Sequence, residues 1–113
     1  MKLVFISSPY GGDHMNVEVA REYMRYAAAM GQTPIAPHVM LHDVMDDNDP
    51  EQRARAMAAC IDLLDLCGAM WVCGSQITPG MKREIDHAKK MLYSIRYVKD
   101  SEVEAFLYLG KRK

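Results

Sequence analysis

Two short runs limit what this chain can become. Neither Lys2-Leu3-Val4-Phe5-Ile6 nor Ala69-Met70-Trp71-Val72-Cys73 alternates apolar with polar residues, so each reads as a strand buried on both faces. Strands of that kind need helices packed above and below them. The sequence between and after them supplies the helices. Asn16 can cap a helix running to about Met30, with Ala20, Tyr23, Met24 and Ala27 as its apolar face and Gly31 as its stop. Thr33 to Pro37 reads as a short second strand, which its prolines confine to a sheet edge. Asp49-Pro50-Glu51-Gln52 is a strong helix start, followed by the apolar stripe Met57, Cys60, Ile61 and Leu64. Tyr93 to Val98 reads as a fourth strand. Ser101 then caps a last helix with Val103, Phe106, Leu107 and Leu109 on its apolar side. The alternation β-α-β-α-β-α-β-α predicts a parallel sheet covered on both faces. The expected fold is one α/β domain over residues 1–113. It is a three-layer, flavodoxin-like (Rossmann-like) sandwich with a four- to five-stranded parallel sheet in the order 2-1-3-4.

The length supports this: 113 residues suffice for one domain and not two. The charge narrows the partners. With Lys+Arg 14 against Asp+Glu 15, the net charge is -1, which argues against a nucleic-acid polymer and against a polybasic membrane anchor. No apolar run reaches a membrane span and no signal-peptide layout is present, so a cytoplasmic protein is expected. Cys60, Cys67 and Cys73 form no Cys-x-x-Cys pair and read as reduced, buried thiols. Residues 38–49 hold His38, His42, Asp43, Asp46, Asp47 and Asp49 without the spacing of a calcium or zinc site. They read as a solvated loop over the site, with His38 available to line a pocket. No metal and no cofactor is expected.

The candidate site lies after the third strand. In Gly74-Ser75-Gln76-Ile77-Thr78-Pro79-Gly80, Thr78 offers an N-cap hydroxyl and Pro79 fits the first helical position. The helix should bury Met81, Ile85, Ala88 and Leu92. Glu84 belongs to the same stripe. A carboxylate there is costly unless it is paired or faces a cavity; from the helical wheel alone, an exposed residue paired with a lysine is an equal alternative. The loop after the first strand, Ser7-Ser8-Pro9-Tyr10-Gly11-Gly12, suits close approach to a phosphate or sugar, or is an ordinary turn. In the expected fold both loops flank the crevice at the carboxyl ends of strands 1 and 3. Asp62 and Asp65 fall off the core stripe of their helix and read as solvent-exposed.

Residues 1–98 resemble the nucleoside 2-deoxyribosyltransferase-like superfamily, in particular its short bacterial and phage members and the deoxynucleoside 5′-monophosphate N-glycosidases. The resemblance rests on the Ser-Pro-Tyr-Gly-Gly loop, an Asp about eight residues before the third-strand core, and Gly80-Met81-Lys82-Arg83-Glu84 with a trailing Ala88. It implies that Glu84 is a nucleophile attacking the anomeric carbon, as in a retaining glycosidase. It also implies that Asp62 helps protonate the departing base and that Tyr10 orients the nucleophile. Ser8, Gly11 and Gly12 match the loop that holds sugar and phosphate in the family; with Ser7, Pro9, His38, Gly74, Ser75, Thr78, Gly80 and Met81 around the crevice, they are the expected substrate contacts. Thr78 takes a position that is acidic in the nucleoside transferases and a hydroxyl in the monophosphate hydrolases, and a hydroxyl at a helix N-terminus suits a phosphate.

The implied activity is cleavage of the N-glycosidic bond of a nucleoside 5′-monophosphate or nucleoside, by hydrolysis or base transfer, in a homodimer or homotetramer. The segment from strand 3 to Glu84 is shorter than in the well-known hydrolases, and residues 99–113 contain no asparagine of the kind that completes a neighbour's site. These departures keep open a second function: a non-catalytic protein of the same fold that sequesters or senses a nucleotide. A structural oligomer subunit leaves Glu84 and the two converging loops unexplained.

Overall fold

The computed structural model describes residues 2–9, 14–46 and 48–111. Four strands, β1 (Lys2–Ser7), β2 (Gln32–Ile35), β3 (Ala69–Cys73) and β4 (Ser94–Val98), form one parallel sheet in the order β2-β1-β3-β4. The helices are α1 (His14–Ala29), α2 (Pro37–Met40), α3 (Pro50–Cys67), α4 (Pro79–Lys90) and α5 (Asp100–Lys111). The two central strands are the two apolar runs, and β2, with Pro34, is an edge strand. The architecture is the expected flavodoxin-like one.

Alternating side chains send each central strand into two cores. Val4, Ile6, Trp71 and Cys73 pack with Tyr23, Tyr26, Ala27 and Val103 from α1 and α5. Phe5, Met70 and Val72 pack on the other face with Leu64, Met81, Ile85 and Ala88 from α3 and α4.

Several local expectations change. Helix α1 begins at His14, so Asn16 lies inside its first turn and is not the cap; Val17 is fully buried, and the turn that carries it into the core must already be helical. The second strand ends at Ile35, because Pro37 occupies the first position of α2 and is itself buried. The segment after β2 is therefore part helix rather than loop throughout. Helix α5 starts at Asp100 instead of after a Ser101 cap. The Glu102 carboxylate accepts the Lys99 N–H at 2.9 Å, the return half of a capping box. Leu92 stands beyond α4 at φ 60° and is 91 % exposed, so it leaves the stripe that Met81, Ile85 and Ala88 keep. Leu109 is exposed as well. Cys60 and Cys67 are half-buried; of the three free cysteines, Cys73 is the buried one.

Candidate active site

The Asp49 carboxylate caps α3 by accepting the Glu51 N–H, with Pro50 next to it. Thr78 caps α4 by accepting the Met81 N–H at 3.2 Å, with Pro79 next to it. These starts place the first turns of α3 and α4 near the carboxyl end of β1. Between them, roofed by α2 and the segment after it, lies a cavity of about 410 Å³.

Glu84 projects into this cavity from the second turn of α4 and is 6 % exposed. The Ser7 hydroxyl, from the end of β1, donates to its Oε1 at 2.8 Å. The Cys60 thiol on α3 also hydrogen-bonds it, and Arg83 lies close enough to favour its charge. Burial outweighs all three and pushes the carboxyl up to about 6. Near neutral pH this group is largely an anion held with little water, able to attack an electrophilic carbon or stabilise a cation.

Ser8 lines the same cavity and is 1 % exposed, and its hydroxyl has no hydrogen-bond partner among the described residues. Buried hydroxyls are almost always paired, so this one marks where a bound molecule can offer a polar atom. The Ser8 carbonyl lies 3.0 Å from His38 Nε2. A carbonyl only accepts, so that nitrogen carries a proton.

Of the sequence-predicted residues, the cavity gathers Ser8, His38, Thr78, Gly80, Met81 and Glu84, with Ser7 behind Glu84. Tyr10, Gly11 and Gly12 lie outside the described residues. Pro9, Gly74 and Ser75 are not on the cavity wall. Gly74 has a structural task instead: it sits at φ 92°, and a Cβ there would stand 3.1 Å from the Tyr23 hydroxyl. Asp62 is exposed and is not on the cavity wall, which Cys60 and Ile61 line. Asp65, expected to be merely solvated, accepts from His87 Nε2 and the Tyr93 hydroxyl, each at 2.7 Å. Those bonds, His87 first, hold its carboxyl below the usual range.

Sequence reasoning missed Asn48, Arg53, Cys60 and Arg83 as wall residues. Arg53 carried a usable signal: it stands four residues before Met57 and so heads the apolar stripe of α3, as Glu84 interrupts that of α4. Met57 is 38 % exposed because it faces the cavity and not the core. Among the described residues no group of three or more His, Cys, Asp or Glu could hold a metal ion. No described helix is long and apolar enough to cross a membrane.

The fold has a solved counterpart. A 2-deoxyribosyltransferase from the psychrotolerant bacterium Bacillus psychrosaccharolyticus, described as a biocatalyst for the synthesis of antiviral and antitumoral nucleosides, is similar at a TM-score of 0.70. The match covers 86 % of this chain and 72 % of that one at 10 % identity, a likeness of fold. No curated protein matches the sequence. Residues 2–98 match the family described as "Domain of unknown function (DUF7768)", and the chain belongs to that family.

Proposed function

We propose that the chain is an N-glycosidase or 2-deoxyribosyltransferase that cleaves the N-glycosidic bond of a nucleoside 5′-monophosphate or nucleoside, with Glu84 as nucleophile. The observation that carries this reading is the Glu84 carboxylate itself. It is buried on a cavity wall, oriented by Ser7, and raised to about 6 because burial outweighs the Ser7 bond, Arg83 and Cys60. In the proposed reaction a Glu84 oxygen bonds to the anomeric carbon as the carbon–nitrogen bond breaks. The bonding pair leaves with the base, which takes up a proton. Water then resolves the glycosyl ester in a hydrolase, and a second base does so in a transferase.

Asp62, on the solvent side of α3, is poorly placed to give that proton. His38 is the acid–base side chain of the described cavity wall besides Glu84 and Cys60, and the proposal assigns proton donation to it. Tyr10 keeps its proposed orienting role. Ser8, with its unpaired hydroxyl, and the N-terminus of α4 at Thr78 and Gly80 are the proposed sugar and phosphate contacts. The proposal includes a homodimer or homotetramer, which the exposed Tyr97, Tyr108 and Leu109 around β4 and α5 support and a mass measurement in solution tests.

The test is chromatography after incubating the protein with nucleosides and 5′-monophosphates, beside Glu84→Gln. Free base from the wild type alone supports the enzyme. Thermal stabilisation by a nucleotide with no base released transfers the reading to the second function, a nucleotide-binding protein; the unpaired Ser8 hydroxyl serves that reading equally well.

A further inference from the structure

The cavity has two unlike walls. One is polar: Ser8, Glu84 and the start of α4. The other, built by the α2–α3 connection and the first turns of α3, presents Leu41, Met45 and Met57, with Asn48 and Arg53 at its rim. An apolar wall of thioethers and a leucine suits the face of a flat ring. The hydrogen-bonding heads beside it then meet the ring's edge. Arg55, on the same helix, is spent on Glu51 at 2.7 Å. The Arg53 guanidinium makes no ion pair or hydrogen bond with the described residues.

Resting on the proposed function, we infer that Arg53 determines base specificity and selects nucleobases with an exocyclic oxygen at the edge facing it: guanine or hypoxanthine among purines, and uracil or thymine among pyrimidines. A guanidinium has five donors and no acceptor. It pairs with a carbonyl oxygen, and with a purine N7 as well, while the amino group of adenine or cytosine at the same position meets it donor to donor. Asn48 can donate or accept, so it tolerates either class, and the discrimination falls to Arg53.

The experiment is titration calorimetry with matched pairs: deoxyinosine against deoxyadenosine 5′-monophosphate, deoxyuridine against deoxycytidine 5′-monophosphate, and the corresponding nucleosides. It is run on wild-type, Glu84→Gln and Arg53→Met proteins; position 53 is exposed on a helix, so the substitution leaves the core untouched. The expected result is a roughly ten- to hundredfold preference for the oxo member of each pair, abolished in Arg53→Met by weaker binding of that member alone. Equal binding of both members by the wild type overturns the inference. So does an Arg53→Met loss that is the same for all bases and vanishes for nucleosides, which makes Arg53 a phosphate contact. Absence of binding to every compound overturns it along with the proposed function. Oxo-selective, Arg53-dependent binding without base release sinks the enzyme reading and leaves the base assignment standing.

Discussion

The two faces of the sheet handle buried polar groups in opposite ways. On the α1–α5 face the buried phenols of Tyr23 and Tyr26 both meet partners. The Tyr23 hydroxyl donates to Asp100 at 2.6 Å and the Tyr26 hydroxyl to Glu102 at 2.7 Å. Arg96 reaches the same Glu102 oxygen at 3.0 Å while its guanidinium stands 4.5 Å over the Trp71 ring. Burial first, and then Asp100, push the Tyr23 phenol well above its usual range. On the α3–α4 face, Glu84 receives a serine hydroxyl and a thiol, and the Ser8 hydroxyl receives nothing from the described residues. The closed network ties α1 to α5 and to the end of β4. The open one leaves polar atoms facing a cavity. Pairing, more than polarity or burial, separates the part of this molecule that holds it together from the part suited to act on something else.

The sharpest way to break this contrast is Glu84→Gln. Base release should fall by at least about a thousandfold, as expected for loss of a nucleophile. Stability at pH 7.5 should rise by about 1–2 kcal/mol, because the folded carboxyl sits at about 6 against an ordinary value near 4.5. Calorimetric melting reads this as several degrees. A variant that melts lower than wild type would make Glu84 a structural partner like Glu102, and the two faces would no longer differ.

The pH dependence follows with its sign. The folded pKa is raised, so Glu84's contribution to stability is fully present below about pH 4.5. It declines by about 2 kcal/mol as pH rises through about 6. The proposed activity should run the other way, since the proposed nucleophile is the anion, with an acid limb near pH 6. Ser7→Ala removes a donor that favours the anion, so this limb should move toward neutrality in a pH–rate profile. An unmoved limb would detach Ser7 from the site.

Tyr26→Phe probes the closed face. Losing its bond to Glu102 should cost about 1–2 kcal/mol in urea unfolding and leave base release unchanged. The smallest effect is expected at Arg55→Ala, which breaks a fully surface pair with Glu51. The change should stay within about 0.5 kcal/mol, and a larger loss would show that pairing on the solvent side also carries the fold.

The fold was legible because its signals are local. Leu3 to Ile6 and Ala69 to Cys73 show their burial in four and five residues, and Asp49-Pro50 and Thr78-Pro79 announce their helices by capping chemistry. Helix α2 was not legible, since four residues carry no periodicity. Glu84 was legible as a charge on a buried stripe. Asp62 was placed by resemblance; it lies about 200° around the helix from Cys60, and the structure seats Cys60 in the cavity. That the Ser8 hydroxyl and Arg53 find no partner among the described residues was beyond reach, because whether a group finds a partner depends on distant chain. The Tyr23–Asp100 bond joins residues 77 apart.

The bond from Ser7 to Glu84 spans 77 residues too, and this has a consequence in time. On a ribosome working at about 5–20 residues per second, β1 leaves the tunnel roughly 4–15 s before the helix that gives Ser7 its Glu84 partner. During that interval a strand apolar on both sides has β2 to pair with and no β3. The nascent chain therefore passes through a stage in which its stickiest segment is half-covered and its site does not exist. Synthesis rate and chaperone capacity, and not only sequence, then decide how much of this protein reaches its working form.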